Sequence, residues 1–151
     1  FFAAFLAQNS EYRRKLIAHP ENISAAVEEM LRRFPVANLA REIIKDVEVD
    51  GVLLKAGEKI LVPTVAYGLD DRVFENPETV DFERANKIHE TFGDGAHRCM
   101  GSMLARVELR VFIEEWLKRI PDFSIKPGTE IFTASGNVAG IKYLPLQWEV
   151  A

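Results

Sequence analysis

The stretch Thr91–Gly101 reads TFGDGAHRCMG and holds the chain's one cysteine, Cys99, among three glycines with Arg98 beside it. A long helical pattern begins directly after it, so Cys99 lies where free backbone N–H groups and the helix dipole favour a thiolate. Gly93, Gly95 and Gly101 permit positive φ and close backbone approach, as a turn wrapped around a ligand atom or aiming amides at sulfur requires. Phe92 offers an aromatic wall, and His97 and Arg98 offer cationic or hydrogen-bonding groups. Together these residues describe a stabilised thiolate held against a large, flat, negatively charged partner.

Four other uses of the stretch compete with that reading. A lone thiol is commonly a buried core residue, but three glycines and a histidine make poor core neighbours. A dinucleotide loop needs G-x-G-x-x-G, and the position three after Gly95 is Arg98, with no parallel βαβ unit around it. Zinc could borrow His89, His97 and Cys99, yet one thiol and no CxxC pair is poor zinc spacing. A nucleophilic cysteine served by His97 stays open, although a catalytic base normally comes from elsewhere in the chain and the glycines would have no purpose.

Downstream, GSMLARVELRVFIEEWLKRI spans residues 101–120 and is the longest helical pattern. Leu104, Val107, Val111, Ile113, Trp116, Leu117 and Ile120 give it a broad apolar face, and Pro121 stops it. The tail has short β-like runs, FSI, TEIFTA and VAGIKYLPLQWEV, which predict a small hairpin around Ser135-Gly136-Asn137. Upstream, residues 10–19 read as a short helix capped by Ser10, with Pro20 just past its end. A second helix is predicted over Asn22–Arg33, where Ile23, Val27, Met30, Leu31 and Phe34 form one stripe and Pro35 ends it. The run DVEVDGVLLKAGEKILVP alternates and carries Asp50-Gly51, a strong hairpin signal. Residues 66–90 are irregular and long for a loop, which points to a covering or functional role. The expected fold is mainly α with small antiparallel β hairpins.

The whole chain sets outer limits. Its 151 residues suffice for one domain with a core. A net charge of −4 excludes a generally basic nucleic-acid binder. A single cysteine forms no internal disulfide and asks for no oxidising compartment. The early apolar run FFAAFLA is too short to span a bilayer and has no basic region before it. The chain opens on Phe1 in mid-helix, which reads as a truncated start.

FGDGAHRCMG closely resembles the haem-binding loop of the cytochrome P-450 family, F-G-x-G-x-H/R-x-C-x-G, with Met100 where leucine or isoleucine is frequent. A second mark is E-x-x-R, which EEMLRR supplies as Glu29 and Arg32. On charge alone these two read as an exposed i,i+3 ion pair. The family instead places them in a buried Glu-Arg-Arg cluster, whose third member falls on Arg84 in VDFER. The resemblance runs over the full chain and is closest to the soluble bacterial camphor-hydroxylase type. It implies the C-terminal portion of the cytochrome P-450 fold, residues 1–151 forming a fragment of a single domain: the end of the distal helix, the E-x-x-R helix, a hairpin, the meander, the cysteine loop, the long helix and a C-terminal hairpin.

By that resemblance Cys99 is the axial thiolate ligand of haem b, in a loop comprising Phe92, Gly93, Gly95, His97, Cys99 and Gly101. Arg41 and His97 fall on haem-propionate contacts. Val36, Ala37, Leu39, Asn137 and Val138 fall on the substrate pocket; Leu39 departs from the camphor pattern, which is acidic there. The implied protein is a cytoplasmic haem-thiolate monooxygenase that hydroxylates a small hydrophobic substrate with O2, using electrons from a [2Fe-2S] ferredoxin and its NAD(P)H-dependent reductase. Arg98 and Arg106 are candidates for docking that ferredoxin, Arg106 equally reading as a solvated helix charge. Residues 1–151 alone are expected to bind haem poorly and to be inactive. The alternative is a non-catalytic haem-binding remnant or an incomplete gene product.

Overall fold

A computed structural model describes residues 1–149. Three helices open the chain: α1 (Phe2–Gln8), α2 (Ser10–Ala18) and, after a 3-10 turn at Pro20–Asn22, α3 (Ile23–Arg33). The cap before α2 is Asn9 and not Ser10, and it makes no side-chain capping bond; Ser10 already has helical backbone. Phe34 leaves helical geometry at φ −127°, as the following Pro35 demands.

Strands β1 (Asn38–Glu42), β2 (Val47–Val49), β3 (Val52–Leu54) and β4 (Lys59–Pro63) make two nested antiparallel pairs, β2 with β3 inside β1 with β4. Asp50 and Gly51 turn the inner hairpin with φ of 50° and 79°, the left-handed pair that a two-residue turn needs to match strand twist. A short α4 (Thr64–Gly68) leads into a long irregular segment, interrupted by a 3-10 turn at Gly95–His97. Then follow α5 (Ser102–Arg119), β5 (Ser124–Ile125), β6 (Phe132–Ala134), β7 (Gly140–Tyr143) and β8 (Leu146–Gln147). β6 and β7 form the predicted C-terminal hairpin, and β5 pairs with β8.

Helix α3 is the central element. Ala26, Met30, Glu29 and Arg32 are all fully buried on it. Its apolar side packs with Leu6, Leu16, Ile113 and Phe123 from its neighbours into one core. Helix α5 enters that core through Ile113 and Leu117, with Leu109 and Trp116 partly buried against it. The sequence predicts one continuous apolar face for α5, but Leu104, Val107 and Val111 are exposed on another side, in line with exposed Met100 and Met103. The apolar residues of α5 therefore occupy two sides of the helix, and only one faces this core.

Candidate functional site

The cysteine loop is built by backbone hydrogen bonds. Gly93 N–H donates to Glu90 O at 2.9 Å, Arg98 N–H to Gly95 O at 3.1 Å, and Cys99 N–H back to Phe92 O at 2.9 Å. Gly93 and Gly95 take φ of 67° and 66°, where a side chain is strained. Gly101 does not: it precedes α5 at φ −82°. A Cβ there would meet Cys99 Sγ at 3.8 Å, ordinary contact, so Gly101 leaves the sulfur's flank open rather than supplying a left-handed turn. At the other end of the loop, Thr91 Oγ1 donates to Leu31 O at 2.7 Å and fastens it to α3.

Cys99 is exposed and lines a cleft of about 770 Å³. Apolar side chains dominate its walls, among them Phe92, Leu109 and Phe112, and His97 contributes a polar group. Of the residues singled out for a substrate pocket, Val36, Ala37 and Leu39 lie on the wall. Asn137 and Val138 do not line it; they run alongside its Val36–Ala37 wall, where Asn38 N–H donates to Asn137 O at 2.8 Å and Val138 bridges to Ala37. Arg41 also lies off the cleft, exposed on β1, its guanidinium donating to Ala40 O. Leu39 additionally packs behind the loop, since a Cβ on Gly93 would come within 3.2 Å of Leu39 Cδ1.

Beneath the site, Glu29 accepts two hydrogen bonds from Arg32, each of 2.8 Å, with both side chains fully buried. Arg84 Nε donates to the same carboxylate at 3.1 Å and Asp81 N–H at 2.9 Å. Arg32 also bonds the carbonyls of Gly68, Pro77 and Thr79. Arg84 bonds those of Glu75, Asn76 and Thr79. The two arginines thus satisfy carbonyls, and Glu29 the Asp81 amide, of a segment that has no ladder of its own. They hold it against α3.

Arg106 is neither a solvated charge nor a free docking group. Its Nε and Nη2 donate to the two oxygens of Glu28 at 2.7 and 3.0 Å, and its guanidinium lies 4.8 Å over the Phe92 ring. His89 Nε2 reaches the same carboxylate at 3.2 Å, with its ring almost wholly buried. Burial pushes the Glu28 carboxyl up, but hydrogen bonds from His89 and Arg106 and the charge of Arg106 outweigh it and bring it down to about 2. Sequence reasoning missed this group because its members are 61 and 78 residues from Glu28.

Residues 4–141 match the cytochrome P-450 family. A probable cytochrome P-450, 127A1, of Sinorhizobium fredii is 37% identical over 148 residues, covering 98% of this chain and 36% of the relative. The mycinamicin IV hydroxylase/epoxidase of Micromonospora griseorubida is 36% identical, covering 97% of this chain and 38% of that enzyme. Among solved structures, cytochrome P-450 CYP101C1 superposes with a TM-score of 0.94 at 40% identity, covering 99% of this chain and 38% of that one. The chain thus spans little more than a third of the length of the proteins it matches.

Proposed function

Because the chain belongs to the cytochrome P-450 family, we propose that it is the C-terminal part of a single-domain haem-thiolate monooxygenase, with Cys99 as axial ligand to haem b. The observation that carries this reading is the position of Cys99, on an apolar cleft of about 770 Å³ behind a loop with two left-handed glycines. Proteins of this family carry haem b, and the residues present fit such a group. A flat macrocycle needs apolar walls, supplied here by Leu39, Phe92, Leu109 and Phe112. The sulfur needs an unobstructed side, which Gly101 leaves, and carboxylate arms need a donor at the edge, for which His97 is placed on the same cleft. Arg41 is a second proposed propionate donor, from the exposed side of β1.

When bound, haem supplies the one-electron and dioxygen chemistry that puts one oxygen atom into a substrate C–H bond and the other into water, a reaction the thiolate favours. The chain's own residues do the holding. Phe92, Gly93, Gly95 and Gly101 shape the loop around Cys99, and Glu29, Arg32 and Arg84 hold the covering segment beneath it. Val36, Ala37 and Leu39 present an apolar wall to a small hydrophobic substrate, with Asn137 and Val138 paired alongside. Electrons come from a [2Fe-2S] ferredoxin served by an NAD(P)H-dependent reductase, with Arg98, exposed next to the ligand, as its nearest cation. Among the described residues no helix is long and apolar enough to cross a membrane, which agrees with a cytoplasmic site of action.

Reconstitution of the full-length protein with haem, ferredoxin, reductase and isotopically labelled dioxygen tests this. One labelled oxygen atom in a hydrophobic substrate, lost in Cys99→Ser, is the expected result. No incorporation with any electron source overturns the monooxygenase reading; incorporation only with a donor other than a ferredoxin overturns the choice of partner.

A further inference from the structure

We propose that Arg106, clamped by Glu28 and His89, is a positioning residue for the Cys99 sulfur; the inference rests on the reading of Cys99 as the axial ligand. The peptide of Cys99 is fixed by two hydrogen bonds: its N–H donates to Phe92 O at 2.9 Å, and its carbonyl accepts from Ser102 N–H at 3.3 Å. Arg106 touches both of those anchor residues. Its guanidinium stacks 4.8 Å from the centre of the Phe92 ring, and its Nη1 donates to Ser102 O at 3.3 Å. One side chain on α5 therefore bridges the two residues that hold the ligand's backbone.

The guanidinium is itself fixed from α3. Glu28 takes it in a two-pronged pair of 2.7 and 3.0 Å, a planar match that sets its orientation as well as its place. His89 completes the clamp: Thr91 N–H donates to its Nδ1 at 3.3 Å, so its Nε2–H donates to Glu28 at 3.2 Å. The His89 and Phe92 rings lie 6.0 Å apart, so Phe92 has the imidazole as well as the guanidinium as neighbours. The clamp reaches from the α3–α5 contact to the sulfur's own peptide, and ligand geometry is commonly set by such supporting groups.

The experiment compares wild type with Glu28→Gln, Arg106→Ala and Arg106→Lys in the full-length protein. A thiolate-type carbon-monoxide spectrum of the wild type first tests the ligand reading on its own. Amide hydrogen exchange of the haem-free proteins then reads the Cys99 and Ser102 amides, and the loaded proteins give the ferric–ferrous midpoint potential. Losing a hydrogen bond to a charged partner is expected to speed exchange at these two amides about tenfold or more. The inner turns of α3 and α5 stay as protected as in wild type, and the midpoint potential shifts. Arg106→Lys, which keeps the charge without the fork, falls between. Wild-type exchange and potential in Glu28→Gln and Arg106→Ala overturn the proposal, as does a uniform loss of protection across both helices, which marks a plain staple. If Arg106→Ala does not fold, Glu28→Gln, nearly the same size as the residue it replaces, decides the matter by the same two readouts.

Discussion

Glu28 and Glu29 are neighbours in sequence with opposite tasks, and each is defined by the arginines it holds. Glu29 is fully buried and receives Arg32, Arg84 and the Asp81 amide. Removing Arg32 leaves that carboxylate without its main partner and strands the Gly68 and Pro77 carbonyls, so Arg32→Ala is expected to lower stability by about 3–5 kcal/mol in a denaturant titration. Arg32→Lys should recover little of this, since a lysine cannot bond two carboxylate oxygens and three carbonyls at once. Glu28 is the residue with a pH signature. Its carboxyl lies at about 2, below the ordinary 4.5. The stabilisation it provides is therefore full above about pH 4.5 and lost as pH falls through about 2. The stability gap between wild type and Glu28→Gln is expected to be constant from neutral pH to about 4.5, then to shrink and vanish near pH 2 in urea midpoints measured across that range. A gap unchanged at pH 2 contradicts the clamp. In the sequence, E-x-x-R spacing marks Glu29 and Arg32 as partners, because three residues make less than one helical turn. Nothing local marks Glu28, whose partners arrive from the loop and from α5.

Elements were readable where a period or a turn residue announced them. The β2–β3 hairpin follows from Asp50-Gly51, and α3 from its apolar stripe and Pro35. The pairing of β1 with β4 was not readable for β1, since NLARE neither alternates cleanly nor ends in a turn signal; its register with KILVP is set by the hairpin it encloses. Helix α4 was also hidden, at five residues, too short for any period to show. Yet its last residue lies hard against α3: a Cβ on Gly68 would lie 2.2 Å from the Arg32 carbonyl oxygen. Gly68→Ala is therefore expected to push α4 off α3 and disturb the Arg32 bond to the Gly68 carbonyl. An overpacking loss of about 1–3 kcal/mol is expected in the same denaturant assay. A neutral Gly68→Ala means α4 is not seated against α3 as described.

At the scale of the molecule, α5 explains why one helix carries apolar residues on two sides. Ile113 and Leu117 enter the core, while Met103, Leu104, Val107 and Val111 make a stripe open to solvent. A helix apolar on both sides suits the interior of a larger protein, in keeping with a chain that matches 36% to 38% of its relatives' lengths. Expressed alone, the 151-residue chain is expected to bind a hydrophobic dye and to migrate above 17.1 kDa in size exclusion. It is also expected to retain haem poorly. A dye-free monomer at that mass would show that the stripe needs no cover. The cysteine loop was legible as a tight turn from Gly93 and Gly95, which take positive φ. The cleft it faces was not, because its walls come from four separate parts of the chain. The proposed binding of haem iron by Cys99 as a thiolate is tested most directly by the reduced carbon-monoxide difference spectrum of the full-length protein. A thiolate-type Soret band that disappears in Cys99→His is the predicted result; a histidine-type band in the wild type, or a thiolate band that survives the substitution, would contradict it.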